Sequence, residues 1–151
     1  MIKSAEHFSF TVSDIESALH FFCDLLGLSA TSVAEVETPE VRQIVGIPDA
    51  SLRISIVKIP GGTRLELIQY VRPSGRKVDT RPFNPGTAHI AFLVDDIQTT
   101  YEDLLQKGVK FVNPPVWNSG NDGKGRWGVS YLHGPDNLII ELIEQGRTSA
   151  S

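Results

Sequence analysis

At 151 residues the chain suits one compact domain, or two small modules sharing a core, and 40% apolar with 21% charged residues is a globular rather than a disordered balance. No apolar run approaches the ~18 residues that span a bilayer. The opening MIKSAEHF carries no hydrophobic signal segment, and a single cysteine (Cys23) excludes an intrachain disulfide, so a cytoplasmic protein is expected. A net charge of -4, with no basic helix or aromatic-basic ribbon, argues against a nucleic-acid surface, and membrane association is not expected either.

In chain order, the first predicted element is a strand ending at Val12. Phe8, Phe10 and Val12 alternate with His7, Ser9 and Thr11, a period of two. Ser13 or Asp14 then offers an N-cap. Ile15, Ala18, Leu19, Phe22, Leu25 and Leu26 recur at helical spacing until Gly27 stops the helix in the left-handed manner. Strands are predicted at roughly 30–36, 52–59 and 63–70, the last two joined by the tight turn IPGG. A linker rich in proline, glycine and charge follows, over 73–86. The plan then repeats. IAFLV (90–94) is a strand, Asp95 or Asp96 a cap, and Ile97, Tyr101, Leu104 and Leu105 a helical stripe that Gly108 ends. Strands are predicted at roughly 109–112, 127–132 and 138–144, with HGPDN as the matching turn and 113–126 as a long glycine-containing loop. The tail 146–151 has no predicted structure.

The two halves share more than a plan. Without a gap, EHFSFTVSDI (6–15) aligns with AHIAFLVDDI (88–97), pairing His7 with His89, Phe10 with Phe92, Asp14 with Asp96 and Ile15 with Ile97. The final strands share Glu-Leu-Ile, so Glu66 matches Glu141. Glu66 follows His7 by 59 positions and Glu141 follows His89 by 52, one module with a loop of different length. The helices are expected to cover Phe8, Phe10 and Val12 in one half and Ile90, Phe92 and Val94 in the other. Leu65, Leu67, Ile140 and Leu142 then take the buried side, which leaves His7, Glu66, His89 and Glu141 on the opposite face. If the modules join edge to edge, the four converge. Two imidazoles and two carboxylates make a borderline-to-hard divalent site, and the absence of a thiolate disfavours a closed structural zinc site. Taken singly, each of the four reads as an ordinary polar residue at the solvated end or face of a strand; the duplication is what sets them apart.

With these residues, the chain resembles the vicinal oxygen chelate superfamily, which includes glyoxalase I, methylmalonyl-CoA epimerase, extradiol dioxygenases and the fosfomycin and bleomycin resistance proteins. The resemblance covers roughly residues 5–145. GPDN at 134–137 is similar to the family's Asp-Pro-Asp-Gly turn, with Asn137 in place of glycine. It implies an α+β fold of two tandem βαβββ modules (5–72 and 87–145, within a single domain 1–145) forming a curved mixed sheet around a metal site. It also implies one divalent ion (Ni, Co, Mn, Zn or Fe) held by His7, Glu66, His89 and Glu141, a small substrate with two adjacent oxygens, and a homodimer. Four ligands resemble the glyoxalase and epimerase branch, in which a proton is removed next to a chelated carbonyl and Glu66 or Glu141 is the base. Epimerases of this branch often have Gln where Glu66 stands, which favours glyoxalase-type ligation. An iron-dependent dioxygenase, using His7, His89 and Glu141, is the alternative enzyme. A metal-free drug-binding module is the alternative without catalysis.

Further expectations attach to single residues. Arg64, Tyr70, Trp117, Arg126, Trp127 and Tyr131 are candidates for the substrate face, each also readable as a surface cation or packing aromatic. Lys124 and Arg126 are candidate contacts to an anionic group. Asp49 reads as a turn residue or as an additional base. His20 is expected on an exposed helix face, and His133 in a turn, outside the ligand set.

Overall fold

Two separate mixed sheets build the protein in a computed structural model that describes residues 1–119 and 126–146. The chain divides into two compact units, Met1–Val78 and Asp79–Ser151.

In the first unit the order is β1 (Phe8–Thr11), α1 (Ile15–Leu19) running into a π-helical turn (His20–Leu25), β2 (Ser29–Ala30), β3 (Ala34–Val36), α2 (Pro39–Val45), β4 (Ser51–Lys58) and β5 (Arg64–Arg72). The sheet order is β1-β5-β4-β2, with β3 also on β4; β1 runs parallel to β5 and the other pairs are antiparallel. The second unit has β6 (His89–Leu93), α3 (Ile97–Gln106), β7 (Val116–Ser119), β8 (Arg126–His133) and β9 (Ile139–Gln145). Its order, β6-β9-β8-β7, is the same, again with the first and last strands parallel. The fold is therefore α+β, a βαβββ module used twice.

The hairpin of each unit repeats in detail. Val57, Leu65 and Leu67 are fully buried in the first, and Leu132, Ile140 and Leu142 are buried in the second. Ser55 and Ser130 are buried on the same side, each hydroxyl donating to a carbonyl of the preceding loop, Thr31 and Asn113, at 2.8 and 2.7 Å. The first helix of each unit is also tied to that unit's last strand by one bond. The Ile15 N–H donates to Gln69 Oε1 (3.1 Å) and the Ile97 N–H to Glu144 Oε2 (2.8 Å). These contacts satisfy helix-terminal donors that have no intrahelical partner. Asp14 and Asp96 cap the same helices, accepting from the N–H groups of Glu16 and Ser17 and of Thr99. On the hairpin side of α1, Arg53 grips Glu16 with two bonds of 2.7 and 2.5 Å.

Several expectations need correction. The strand predicted at 109–112 supplies only an isolated bridge from Phe111 to Leu132, and the edge strand is β7, inside the predicted loop. Helix α2 is absent from the predicted elements. Its signals are local, a Thr38 cap, Pro39 in the first turn and Gly46 at φ 70°, and it buries no residue, so it carries no periodic stripe. The rings of β1 and β6 are less covered than the alternation suggests. Val12 is buried, but Phe10, Ile90, Phe92 and Val94 are only half-buried and Phe8 is 59% exposed. Both strands are sheet edges, so the helix packs over the hairpin beside them. Gly27 and Gly108 do end their helices at φ 74° and 85°. The turn at 134–137 places Asp136 and Asn137 at φ 54° and 61°, where asparagine substitutes for glycine at modest cost. No helix of the described residues is long and apolar enough to cross a membrane.

Candidate functional site

Side chains alternate across a strand, so register decides which residues share a face. In the first unit Ser9 lies opposite Glu66. His7 and Ser9 therefore share a face with Arg64, Glu66, Ile68 and Tyr70, while Leu65 and Leu67 fill the helix side. Across this face His7 Nε2 lies 3.3 Å from Glu66 Oε2. The other ring nitrogen, Nδ1, is bonded to Glu6, which also pairs with Arg64.

The second unit repeats the pair. Ala91 lies opposite Glu141, and His89 one pleat away opposite Ile139. His89 Nε2 is 3.1 Å from Glu141 Oε2. The two glutamate side chains are sheltered, 19% and 14% exposed, and the histidines are open, 38% and 48%. Tyr131 lies directly opposite Glu141, its ring centroid 5.8 Å from that of His89. Burial pushes its hydroxyl above the usual phenol range, and the Glu141 charge adds to this.

The donor chemistry of each pair fits a divalent ion. Two ligands on bonds of ~2.1 Å, at octahedral or tetrahedral angles, lie about 3.0–3.4 Å apart. The Nε2–Oε2 separations of 3.3 and 3.1 Å fall in that range. Glu6 sharpens the case for His7. A carboxylate only accepts, so Nδ1 donates to it, and in the neutral ring Nε2 then presents its lone pair to Glu66. Two acceptors that face each other need a cation between them, a proton or a metal ion. A carboxylate behind a ligating histidine fixes tautomer and orientation in the same way. Each unit holds one such imidazole–carboxylate pair, and no group of three or more His, Cys, Asp or Glu side chains suited to a metal is found among the described residues.

The other candidates divide by face. Arg64 and Tyr70 lie on the face of Glu66, and Tyr131 and Trp127 on that of Glu141. Trp117 and Arg126 lie on the opposite, helix-covered face. Trp117 pairs with Gly128, whose ideal Cβ would sit 3.0 Å from its ring, and the Arg126 guanidinium stacks on that ring at 4.4 Å. The parity of Trp117 is fixed by β7, which lies within the predicted loop, whereas Arg126 begins β8, one residue before the predicted strand, and alternates with Trp127 and Tyr131. Lys124 lies outside the described residues. Asp49 is exposed in a turn, and His20 pairs with Asp24 at 2.7 Å on the outer side of the π-helical turn. Two residues gain a place that the sequence reading did not give them. Glu6 is behind His7, a position legible only from their adjacency. His133 is not in the turn but ends β8, on the face of Tyr131 and Glu141.

Comparison with known proteins agrees with this architecture. A family model of the Glyoxalase/Bleomycin resistance protein/Dioxygenase superfamily matches residues 4–142. The chain is 28% identical over 145 residues to a 2-epi-5-epi-valiolone epimerase of Actinomyces sp, covering 93% of this chain and 78% of that protein. It is 25% identical over 138 residues to a probable lactoylglutathione lyase of Synechocystis sp., covering 91% and 92%. In fold it is similar to a glyoxalase family protein of Bacillus cereus, with a TM-score of 0.82 over 97% of both chains at 23% identity. The trypanothione-dependent glyoxalase I of Leishmania major shares the fold at a TM-score of 0.66 and 20% identity, over 95% of this chain and 88% of that one. A doubled βαβββ module with a matched His–Glu pair in each copy, and a family match spanning nearly the whole sequence, lead to one conclusion: the chain belongs to the Glyoxalase/Bleomycin resistance protein/Dioxygenase superfamily.

Proposed function

We propose that the protein is a metal-dependent lyase or isomerase of the glyoxalase-epimerase type, removing a proton from the carbon next to a carbonyl of a small substrate with adjacent oxygens. The observation that carries this reading is the duplicated pair, His7 with Glu66 and His89 with Glu141, at separations suited to neighbouring ligand positions. Together the four side chains would hold one divalent ion, which when bound supplies Lewis acidity toward the substrate's oxygens. Glu66 and Glu141 are sheltered carboxylates, and one of them is the base that takes the proton from carbon. A positioned base of this kind contributes typically ~10²–10⁴-fold. Tyr131, beside Glu141, keeps its proton through neutral pH and offers a donor to a substrate oxygen. Arg64 and Tyr70, on the face of Glu66, are the first unit's candidates for substrate contact. The two relatives named an epimerase and a probable lyase support the class, and a cytoplasmic homodimer completes the proposal.

The test is solvent exchange. Metal-loaded protein in D2O should incorporate deuterium at the acidic carbon of a hydroxy-ketone or 2-hydroxy-thioester, and Glu141→Gln should abolish it. Oxygen uptake during turnover with iron(II) would replace this reading by the dioxygenase one. Failure to bind any of Ni, Co, Mn, Fe or Zn at micromolar concentration would leave a metal-free binding module.

A further inference from the structure

One imidazole on the second unit's open face has no part in the chemistry proposed above. The register arranges that face in rows. His89, Ile139 and His133 form one, and Ala91, Glu141 and Tyr131 the next. Beyond Glu141 the third row is aliphatic across all four strands: Leu93, Ile143, Val129 and Val116. His133 Nδ1 is withdrawn from water and has no hydrogen-bond partner among the described residues, although its backbone N–H donates to Lys110 O at 2.8 Å. Nδ1 is closed to a molecule on the open face, so a substrate group can meet this ring only at Nε2.

His133 is not a further metal ligand on this geometry. Two strand spacings separate it from His89, roughly 10 Å of sheet, too far for two imidazoles to share an ion without rearrangement. It is diagonal to Glu141, about 7–8 Å away at the backbone, which a substrate of four or five heavy atoms anchored at Glu141 can span. The aliphatic row on the other side of Glu141 has no side-chain donor or acceptor. On the described face of this unit a polar substituent is met toward Tyr131 and His133, and an apolar edge toward Leu93 and Ile143.

We propose that His133 is a specificity-determining residue of this site, hydrogen-bonding a hydroxyl substituent that lies beyond the two adjacent oxygens. The substrate class is then a hydroxy-ketone with a further hydroxyl on one side and an apolar edge on the other. This rests on the metal-dependent reading above, and the experiment separates the two. Zinc-loaded protein is titrated with 1-hydroxybutan-2-one and with erythrulose, which share the hydroxy-ketone but differ in hydroxyl groups further along the chain. Wild type should prefer erythrulose by about tenfold, the worth of one neutral hydrogen bond. His133→Phe should reduce that preference to within about twofold at unchanged zinc affinity. His133→Asn, which retains a donor and an acceptor, should keep part of it. The side-chain ¹⁵N resonances of His133 should shift with erythrulose and not with the deoxygenated ketone. The proposal is overturned, with the metal reading intact, if zinc and both ketones bind but the preference is absent in wild type or survives in His133→Phe. If zinc itself does not bind, both fall together.

Discussion

Glu6 and His7 are neighbours in sequence and partners in space. If His7 ligates through Nε2, Glu6 holds its ring. Glu6→Gln should then weaken metal binding about 10–100-fold, the usual consequence of losing a partner behind a ligating histidine, with the circular dichroism unchanged. An unchanged affinity measured by chelator competition would mean that the Glu6 contact only decorates the surface. Glu141→Gln should weaken the metal further and stop turnover, because it removes a donor and a candidate base together. Single residues were legible to different degrees. His7, Glu66, His89 and Glu141 were legible because the repeat aligned them and strand parity placed each pair on one face. Trp117 was not, since a side chain has a face only once its strand is known; Arg126, next to the predicted strand, has the opposite parity to Trp127 and Tyr131. For His133 the predicted strand stops one residue short, and one residue decides whether a side chain joins a face at all.

At the level of elements, the helix caps and the β-hairpins were readable, and the interruptions were not. The Asp14 and Asp96 caps followed from a short acidic residue before an apolar stripe. The π-helical turn over His20–Leu25 has no such signature, because the apolar positions it buries, Phe21 and Phe22, also suit a regular helix. The caps make a pH prediction. Both carboxyls are held below their ordinary value of 3.8, Asp14 first by the Ser17 hydroxyl and Asp96 first by the Thr99 N–H. The unfolded chain then binds more protons than the native one as the pH falls through this range, so the stability they supply is complete above about pH 5 and is lost on further acidification. An asparagine in either place would cap without titrating. The protein carrying both Asp14→Asn and Asp96→Asn should therefore lose less stability than wild type between about pH 5 and about pH 2.5 in urea titrations; parallel curves would contradict the caps' role. A second test concerns β8. At Gly128 a Cβ would lie 2.9 Å from Ile97 Cγ2 and 3.0 Å from the Trp117 ring, so Gly128→Ala should cost about 1–3 kcal/mol by overpacking the seat of α3. An unchanged urea midpoint would show that α3 yields at this position.

The whole molecule is one module written twice, and the spacing shared by its halves says which parts carry that identity. Ser55, Glu66 and Gln69 recur at one constant offset as Ser130, Glu141 and Glu144, so the hairpins were copied as rigid pieces. The lengths differ in the segment between first strand and hairpin, where α2 occurs in one unit and β7 in the other, and these are the elements missing from the predicted set. Local signals such as a cap or a glycine survive in that segment, but the long-range pairing that makes an edge strand does not show in composition. The duplication leads to a prediction about the assembled protein. If each His–Glu pair were an independent site, the protein would take up two ions per chain, and losing one glutamate would leave the other ion in place. If the pairs complete one four-ligand site, whether within a chain or between two copies, the count is one ion per chain, and Glu66→Gln and Glu141→Gln each weaken that single ion. Elemental analysis and titration calorimetry with nickel or zinc on tag-free protein read the count directly. Stability gives a second measure: at free metal about 100-fold above its dissociation constant, the native state gains about 2.7 kcal/mol, a rise in Tm of about 5–10 °C for a chain of this size. That rise should shrink in either glutamate variant. Two ions per chain, or a thermal shift that Glu66→Gln leaves whole, would mean that the two halves act separately and that the duplicated pair has another use.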